Sequence, residues 1–260
     1  MTALAGKRVL LTRAAEDQAE LAALLTARGA IPVLLSCIAF ADPADPRPLE
    51  DALDRLRATP KPHFVVLASP HAAERFLARV DPEALRGVRL AAVGPGTARR
   101  IAERGLAVLA PEQGAGADAL VEMLAPLVPG KDVLVPRAEG GNPALVAGLE
   151  RAGARVTAPI LYRTVPASSA DPAGERELRQ GRVDGIAFAS GSAARGFASL
   201  FGPDAAPLAA RARVACMGRN CASEARSVGL RVDAIADGGL PELVLALESA
   251  LSTGGPPGGP

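Results

Sequence analysis

The sequence predicts an α/β protein of two similar domains, each a parallel sheet flanked by helices. Three observations point there: short runs that are apolar on consecutive residues, intervening segments with apolar positions three and four apart, and a return of the whole pattern later in the chain. VLL, VVLA and LAAV, with the later VLV, IAFA and VACM, suit strands buried on both faces of a parallel sheet. QAELAALLTARG and PALVAGLERAG have helical spacing and stop at Gly29 and Gly153, the position past a helix end that glycine favours. Strands and helices alternating in this way make an open sheet covered on both sides.

The chain repeats itself in three modules. GKRVLLTR begins at Gly6 and GKDVLVPR at Gly130, an offset of 124 (130 − 6). VVLASPHAAERF sets Ser69 where IAFASGSAARGF sets Ser190, an offset of 121 (190 − 69). VRLAAVGPGTARRIAERGLAV matches ARVACMGRNCASEARSVGLRV, with Gly94 against Gly218 and Gly105 against Gly229. Three modules in one order indicate duplication of a block of roughly 120 residues, an ordinary domain size. Segments 111–124 and 237–251 supply a closing helix to each half. The final LSTGGPPGGP has too little apolar surface to pack, so 254–260 is expected to be a disordered tail.

Composition excludes several partners. With 29 Lys+Arg against 28 Asp+Glu and 3% aromatic residues, neither a phosphate backbone nor single-strand stacking is served, so no nucleic acid is expected. The longest charge-free apolar stretch, Gly29 to Ala41, contains Pro32 and is too short to span a bilayer, so no membrane association is expected. MTALAGKRVLLTR has charges on both sides of its apolar strand rather than an export signal, and a cytoplasmic location is expected. Cys37, Cys216 and Cys221 have neither the even count of a disulfide framework nor zinc spacing; with only His63 and His71 beside them, no metal site is expected.

GPGT at 94–97 follows an apolar strand and opens a helical segment. It fits neither a P-loop nor a dinucleotide fingerprint, which removes the nucleotide motifs. There remains a helix N-terminus at the carboxyl end of a buried strand, a place whose free N–H groups favour an anion. The plainer reading is a strand-to-helix corner with Thr97 as its cap. The turn occurs twice, as GPGT and as GRNC at 218–221, which favours the binding reading a little, since two such ends could face each other.

The order GKRVLLTR, LASPHAAERF, AVGPGTARRIAERGL, LVPRAEGGNPAL, APILYRT, FASGSAARGF, MGRNCASEARSVGL resembles the uroporphyrinogen-III synthase family from about Gly6 to Leu251. The resemblance implies two α/β domains joined by a two-stranded connector, at 36–41 and 160–166. Domain one would comprise 1–35 with 167–253, and domain two 42–159. The segments ADPADPRP and PASSADPAG fit such boundaries as element breakers in their own right. The implied activity is cyclisation of the small-molecule substrate hydroxymethylbilane, a linear tetrapyrrole, with inversion of ring D and loss of water. The resemblance implies no cofactor, and a monomer is expected.

Tyr162, the only tyrosine, matches the tyrosine that the resemblance places near the leaving hydroxyl. A phenol keeps its proton at neutral pH and can donate it, which suits a catalytic acid; the alternative is a connector residue that packs its ring. The substrate carries eight carboxylates, so donors should line its cleft. Arg13 and its repeat partner Arg137 follow strands at the carboxyl ends, where open sheets bind ligands. Ser69 and Ser190 precede helices and read as N-caps, with Ser192 beside them and substrate contact as a further role. Thr97 matches the family's threonine after the glycine turn, whereas its counterpart Cys221 puts a weaker donor in that place. As a nucleophile Cys221 would lack a histidine in its half of the chain. A non-enzymatic two-lobed binding protein and a nucleotide-sugar transferase are the competing classes; the second would need a diphosphate-binding region that the sequence lacks.

Overall fold

The computed structural model describes residues 2–58, 60–112, 114 and 116–253. The chain divides into two compact units, Met1–Phe40 with Thr164–Pro260, and Ala41–Arg163. The expected disordered tail at 254–260 lies outside the described residues.

The chain opens with β1 (Arg8–Leu11), α1 (Gln18–Thr26), β2 (Ile31–Leu34) and β3 (Ile38–Ala41). It continues through α2 (Arg47–Arg57), β4 (Phe64–Leu67), α3 (Pro70–Leu77), β5 (Arg89–Ala92), α4 (Pro95–Ala102) and β6 (Val108–Leu109). Then follow α5 (Ala117–Leu124), β7 (Asp132–Leu134), β8 (Arg137–Ala138), α6 (Pro143–Arg151), β9 (Arg155–Thr157) and β10 (Ile160–Pro166). The last stretch holds α7 (Pro172–Arg179), β11 (Gly185–Phe188), α8 (Gly191–Phe201), α9 (Ala205–Ala209), β12 (Arg213–Met217), α10 (Gly218–Ser227), β13 (Ala234–Ala236) and α11 (Leu240–Ser252).

The first unit has a five-stranded sheet in the order β13-β12-β11-β1-β2, and every pair in it is parallel. The second has the order β6-β5-β4-β7-β9, again parallel throughout. Under the repeat offsets β1 corresponds to β7, β2 to β9, β4 to β11 and β5 to β12, so the two sheets have one order. The chain enters that order at different points. Val9 pairs with Gly185 and Leu10 with Ile186, so the first glycine module sits beside the second serine module. In the second unit Phe64 pairs with Val133 and Val65 with Leu134. A third sheet has the order β3-β10-β8.

Local chemistry explains the matching turns. Gly29 and Gly153 have φ of +79° and +86°, a left-handed conformation that only glycine adopts without a Cβ penalty. Each then closes the same contact: the Gly6 N–H donates to the Gly29 carbonyl and the Gly130 N–H to the Gly153 carbonyl, both at 2.8 Å. All four residues of β4 and of β11 are buried, as parallel strands covered on both faces must be.

β1 alternates its side chains between two cores. Leu10 joins Phe188 and Phe197 on one face, while Val9 and Leu11 join Leu243 and Leu247 on the other. Phe188 and Phe197 meet edge to face at 5.7 Å, and fully burying each ring contributes about 1.5–3 kcal/mol. In the second unit Phe64, Val66, Leu120 and Leu145 share one core. Among the described residues no helix is long and apolar enough to cross a membrane.

Candidate functional site

The carboxyl ends of the second unit's strands carry a pocket of about 260 Å³, lined by Ser69, Arg137, Asn142 and Tyr162 over an apolar floor that includes Ala72 and Leu145. Ser69 leaves β4 with extended backbone and caps α3, its Oγ accepting the Ala72 N–H at 3.0 Å. Asn142 caps α6 in the same way, Oδ1 accepting the Ala144 N–H at 2.9 Å. Both caps stand beside helix N-termini, where free N–H groups favour negative charge.

Arg137 is on β8, a two-residue strand that the sequence pattern did not anticipate, and its N–H donates to the Pro159 carbonyl at 3.1 Å. Among the described residues its buried Nε has no hydrogen-bond partner. An N–H of a cation in that state is held ready for an acceptor. Tyr162 lies opposite Ala138 in the sheet, and its carbonyl accepts the Glu139 N–H at 2.8 Å. Its side chain is buried at 5% exposure. The His71 ring meets it edge-on at 6.5 Å, and the Arg75 guanidinium carbon stands over it at 5.5 Å.

Thr97 does not cap its helix. The N-cap of α4 is Gly94, whose backbone is extended; Pro95 opens the helix, and the Ala98 N–H already donates to the Gly94 carbonyl at 3.0 Å. Proline's fixed φ suits the first helical position, so the helix begins before Thr97 and carries it inside, where it is buried.

In the first unit Arg13 follows β1, half-buried, 3.4 Å from the Asp17 carboxylate. Gln18 Nε2 donates to the Arg13 carbonyl and to Ser36 Oγ, both at 3.0 Å, which fixes the loop that presents the guanidinium. Ser190 caps α8, its Oγ accepting the Ala193 N–H at 3.2 Å and lying 3.0 Å from Ser192 Oγ. The serine caps thus repeat, as the two modules imply.

Cys221 points into the first unit's core and its sulfur donates to the Phe188 carbonyl at 3.3 Å. The hydrogen bond with Cys221, and then burial, push the Cys216 thiol up; the same bond holds Cys221 below the ordinary thiol value. Burial pushes the Cys37 thiol up as well. Among the described residues no group of three or more His, Cys, Asp or Glu is placed to hold a metal ion.

Ser69, Arg137 and Tyr162 therefore share one pocket of the second unit, Thr97 is buried in α4, and Arg13, Ser190, Ser192 and Cys221 belong to the first unit. Asn142 escaped the sequence reading although its signal was present: asparagine directly before a proline that opens a helix. Gln18, His71 and Arg75 carried no such signal.

Two parallel α/β units of the same strand order define a duplicated two-domain α/β protein. The family model for uroporphyrinogen-III synthase HemD matches residues 19–239, and the chain belongs to the uroporphyrinogen-III synthase family. A uroporphyrinogen-III synthase of Synechococcus elongatus is 29% identical over 204 residues, 76% of this chain and 75% of that one. Among solved structures, the uroporphyrinogen-III synthetase of Helicobacter pylori aligns with a TM-score of 0.58 at 17% identity, over 95% of this chain and 99% of that one. A variant of the Thermus thermophilus enzyme aligns with a TM-score of 0.53 at 21% identity, over 96% and 100%. At these identities the two structures establish a shared fold.

Proposed function

We propose that this member of the family cyclises hydroxymethylbilane to uroporphyrinogen III as a hydro-lyase, with no metal or organic cofactor and with Tyr162 as an assisting acid. The phenol gives its proton to the terminal hydroxyl, the C–O bond breaks and water leaves, which makes a cationic azafulvene. Ring D is attacked at its substituted carbon to give a spiro intermediate, which reopens and recloses with the ring inverted. The proton lost as the pyrrole regains aromaticity restores the phenol. Net loss is one water, so no redox partner is required.

Arg137 and Arg13 take substrate carboxylates, for which a planar guanidinium fork is suited. Ser69 and Ser190 act through the helix N-termini they cap, with Ser192 beside the second, and these ends favour the remaining carboxylates; Thr97 and Cys221, buried in the first turns of α4 and α10, act by packing those helix starts. We place the protein in the cytoplasm as a monomer.

The observation that carries this reading is the buried Arg137 Nε, without a partner among the described residues, in the same pocket as the only tyrosine of the chain. The test is incubation of the purified protein with hydroxymethylbilane and separation of the product isomers. The type III isomer is expected without added metal or nucleotide. Only the spontaneous type I isomer, or activity abolished by chelators, would overturn it.

A further inference from the structure

Tyr162 is gripped from one side by a single helix face. His71 and Arg75 are four residues apart on α3, which puts both on one face of that helix. The His71 ring approaches the phenol ring edge-on, with centroids 6.5 Å apart and planes at 67°. One turn further on, the Arg75 guanidinium carbon lies 5.5 Å from the ring centroid, within the range at which a cation is attracted to an aromatic face. Ser69 caps the start of the same helix by accepting the Ala72 N–H, so the helix end that borders the pocket and the face that holds Tyr162 belong to one element.

On the other side, the backbone of Tyr162 is held by the sheet. It lies opposite Ala138, and its carbonyl accepts the Glu139 N–H at 2.8 Å. These contacts fix the Cα of Tyr162. Across the ring, α3 supplies two contacts that bear on where the hydroxyl points.

We infer that Arg75 is a positioning residue for the reaction: it lies over the Tyr162 ring and fixes the direction in which the phenol O–H is presented to the pocket. This rests on the reading of Tyr162 as the assisting acid. Arg75 acts through the tyrosine, so its removal should reduce turnover more than substrate affinity. A hydroxyl displaced in direction costs proton transfer, not the carboxylate contacts made by Arg137.

The chain supplies its own reporter. It has one tyrosine and no tryptophan, so the tyrosine band of near-ultraviolet circular dichroism reads Tyr162 alone. In Arg75→Met, which keeps most of the side chain's length without its charge, that band should weaken. kcat should fall about three- to tenfold, and KM should stay within about twofold. Arg75→Lys, which keeps a cation over the ring, should restore part of both. In a Tyr162→Phe background Arg75→Met should cost nothing further in kcat, because the hydroxyl it aims is gone. An unchanged tyrosine band in Arg75→Met, or an equal loss of kcat in the Phe background, would overturn the inference. The two readings fail separately: wild-type turnover in Tyr162→Phe alone sinks the acid, whereas the dichroism of Arg75→Met tests the grip whether or not the phenol is the acid. If Arg75→Met does not fold, Arg75→Lys read in both backgrounds takes its place, with the same equal loss as the overturning result.

Discussion

A β-carbon placed on Gly196 of α8 would stand 2.0 Å from the carbonyl oxygen of Cys37. No side chain fits there, so α8 crosses the segment between β2 and β3 at a distance that glycine alone allows. The helix whose N-terminus carries Ser190 and Ser192 is thus seated by a contact at its centre. Gly174 of α7 meets the Leu34 carbonyl in the same manner, at 2.1 Å.

Gly196→Ala should therefore destabilise the protein by about 1–3 kcal/mol or more, since backbone rather than a flexible side chain must yield. Urea unfolding would show it as a lower midpoint. An unchanged midpoint would mean that α8 shifts freely on the segment below it. Turnover should fall with the stability loss, because the displaced helix carries the serine caps with it.

Arg137→Met should separate stability from binding. Among the described residues the buried Nε has no partner, so its deletion should cost the fold little and the unfolding midpoint should hold or rise. A hydrogen bond to a carboxylate is worth more than a neutral one, and kcat/KM should drop about ten- to a hundredfold, chiefly through KM. Steady-state kinetics beside thermal melts would settle it. A fall in stability with unchanged KM would make Arg137 a structural residue.

The fold class was legible because its signals are local and doubled. Gly29 and Gly153 stop their helices with the same left-handed turn, and FVVL and GIAF are buried at every position. Ser69 and Ser190 could be read as caps because a cap depends on the few residues that follow it. The cap expected at Thr97 shows the same locality in reverse: Pro95 lets α4 begin earlier, and Gly94 takes the cap. β8 is too short to show a period, and the grip of His71 and Arg75 on Tyr162 depends on how α3 packs against β10. No spacing in the sequence encodes that distance.

Cys221→Ser tests whether the cysteine does any chemistry. Its sulfur lies in the core and donates to the Phe188 carbonyl, a bond that a serine hydroxyl can reproduce. Turnover should stay within about twofold of the parent, since a nucleophile replaced by a far weaker one would cost orders of magnitude. Stability should fall modestly, because a more polar group then occupies an apolar site. Loss of turnover in a variant with an intact fold would restore the thiol as a reactive group.

Tyr162→Phe keeps the ring against His71 and under Arg75 and removes only the hydroxyl, so its effect on folding should be small. General acids contribute about 10²- to 10⁴-fold, yet a hydroxymethylpyrrole ionises readily because the ring nitrogen stabilises the cation left behind. The loss in kcat should therefore lie at or below the low end of that range, about ten- to a hundredfold, and the variant should remain measurably active. Tyr162 is buried in the pocket that holds Arg137, so the substrate's carboxylate contacts survive the substitution and product binding should be retained. Product binding by calorimetry, turnover and a melting curve on the same preparation decide the matter together. Retained binding with reduced turnover and an unchanged melting temperature supports the acid. Wild-type turnover at an unchanged melting temperature would reduce Tyr162 to a packing residue and leave catalysis to confinement of the tetrapyrrole.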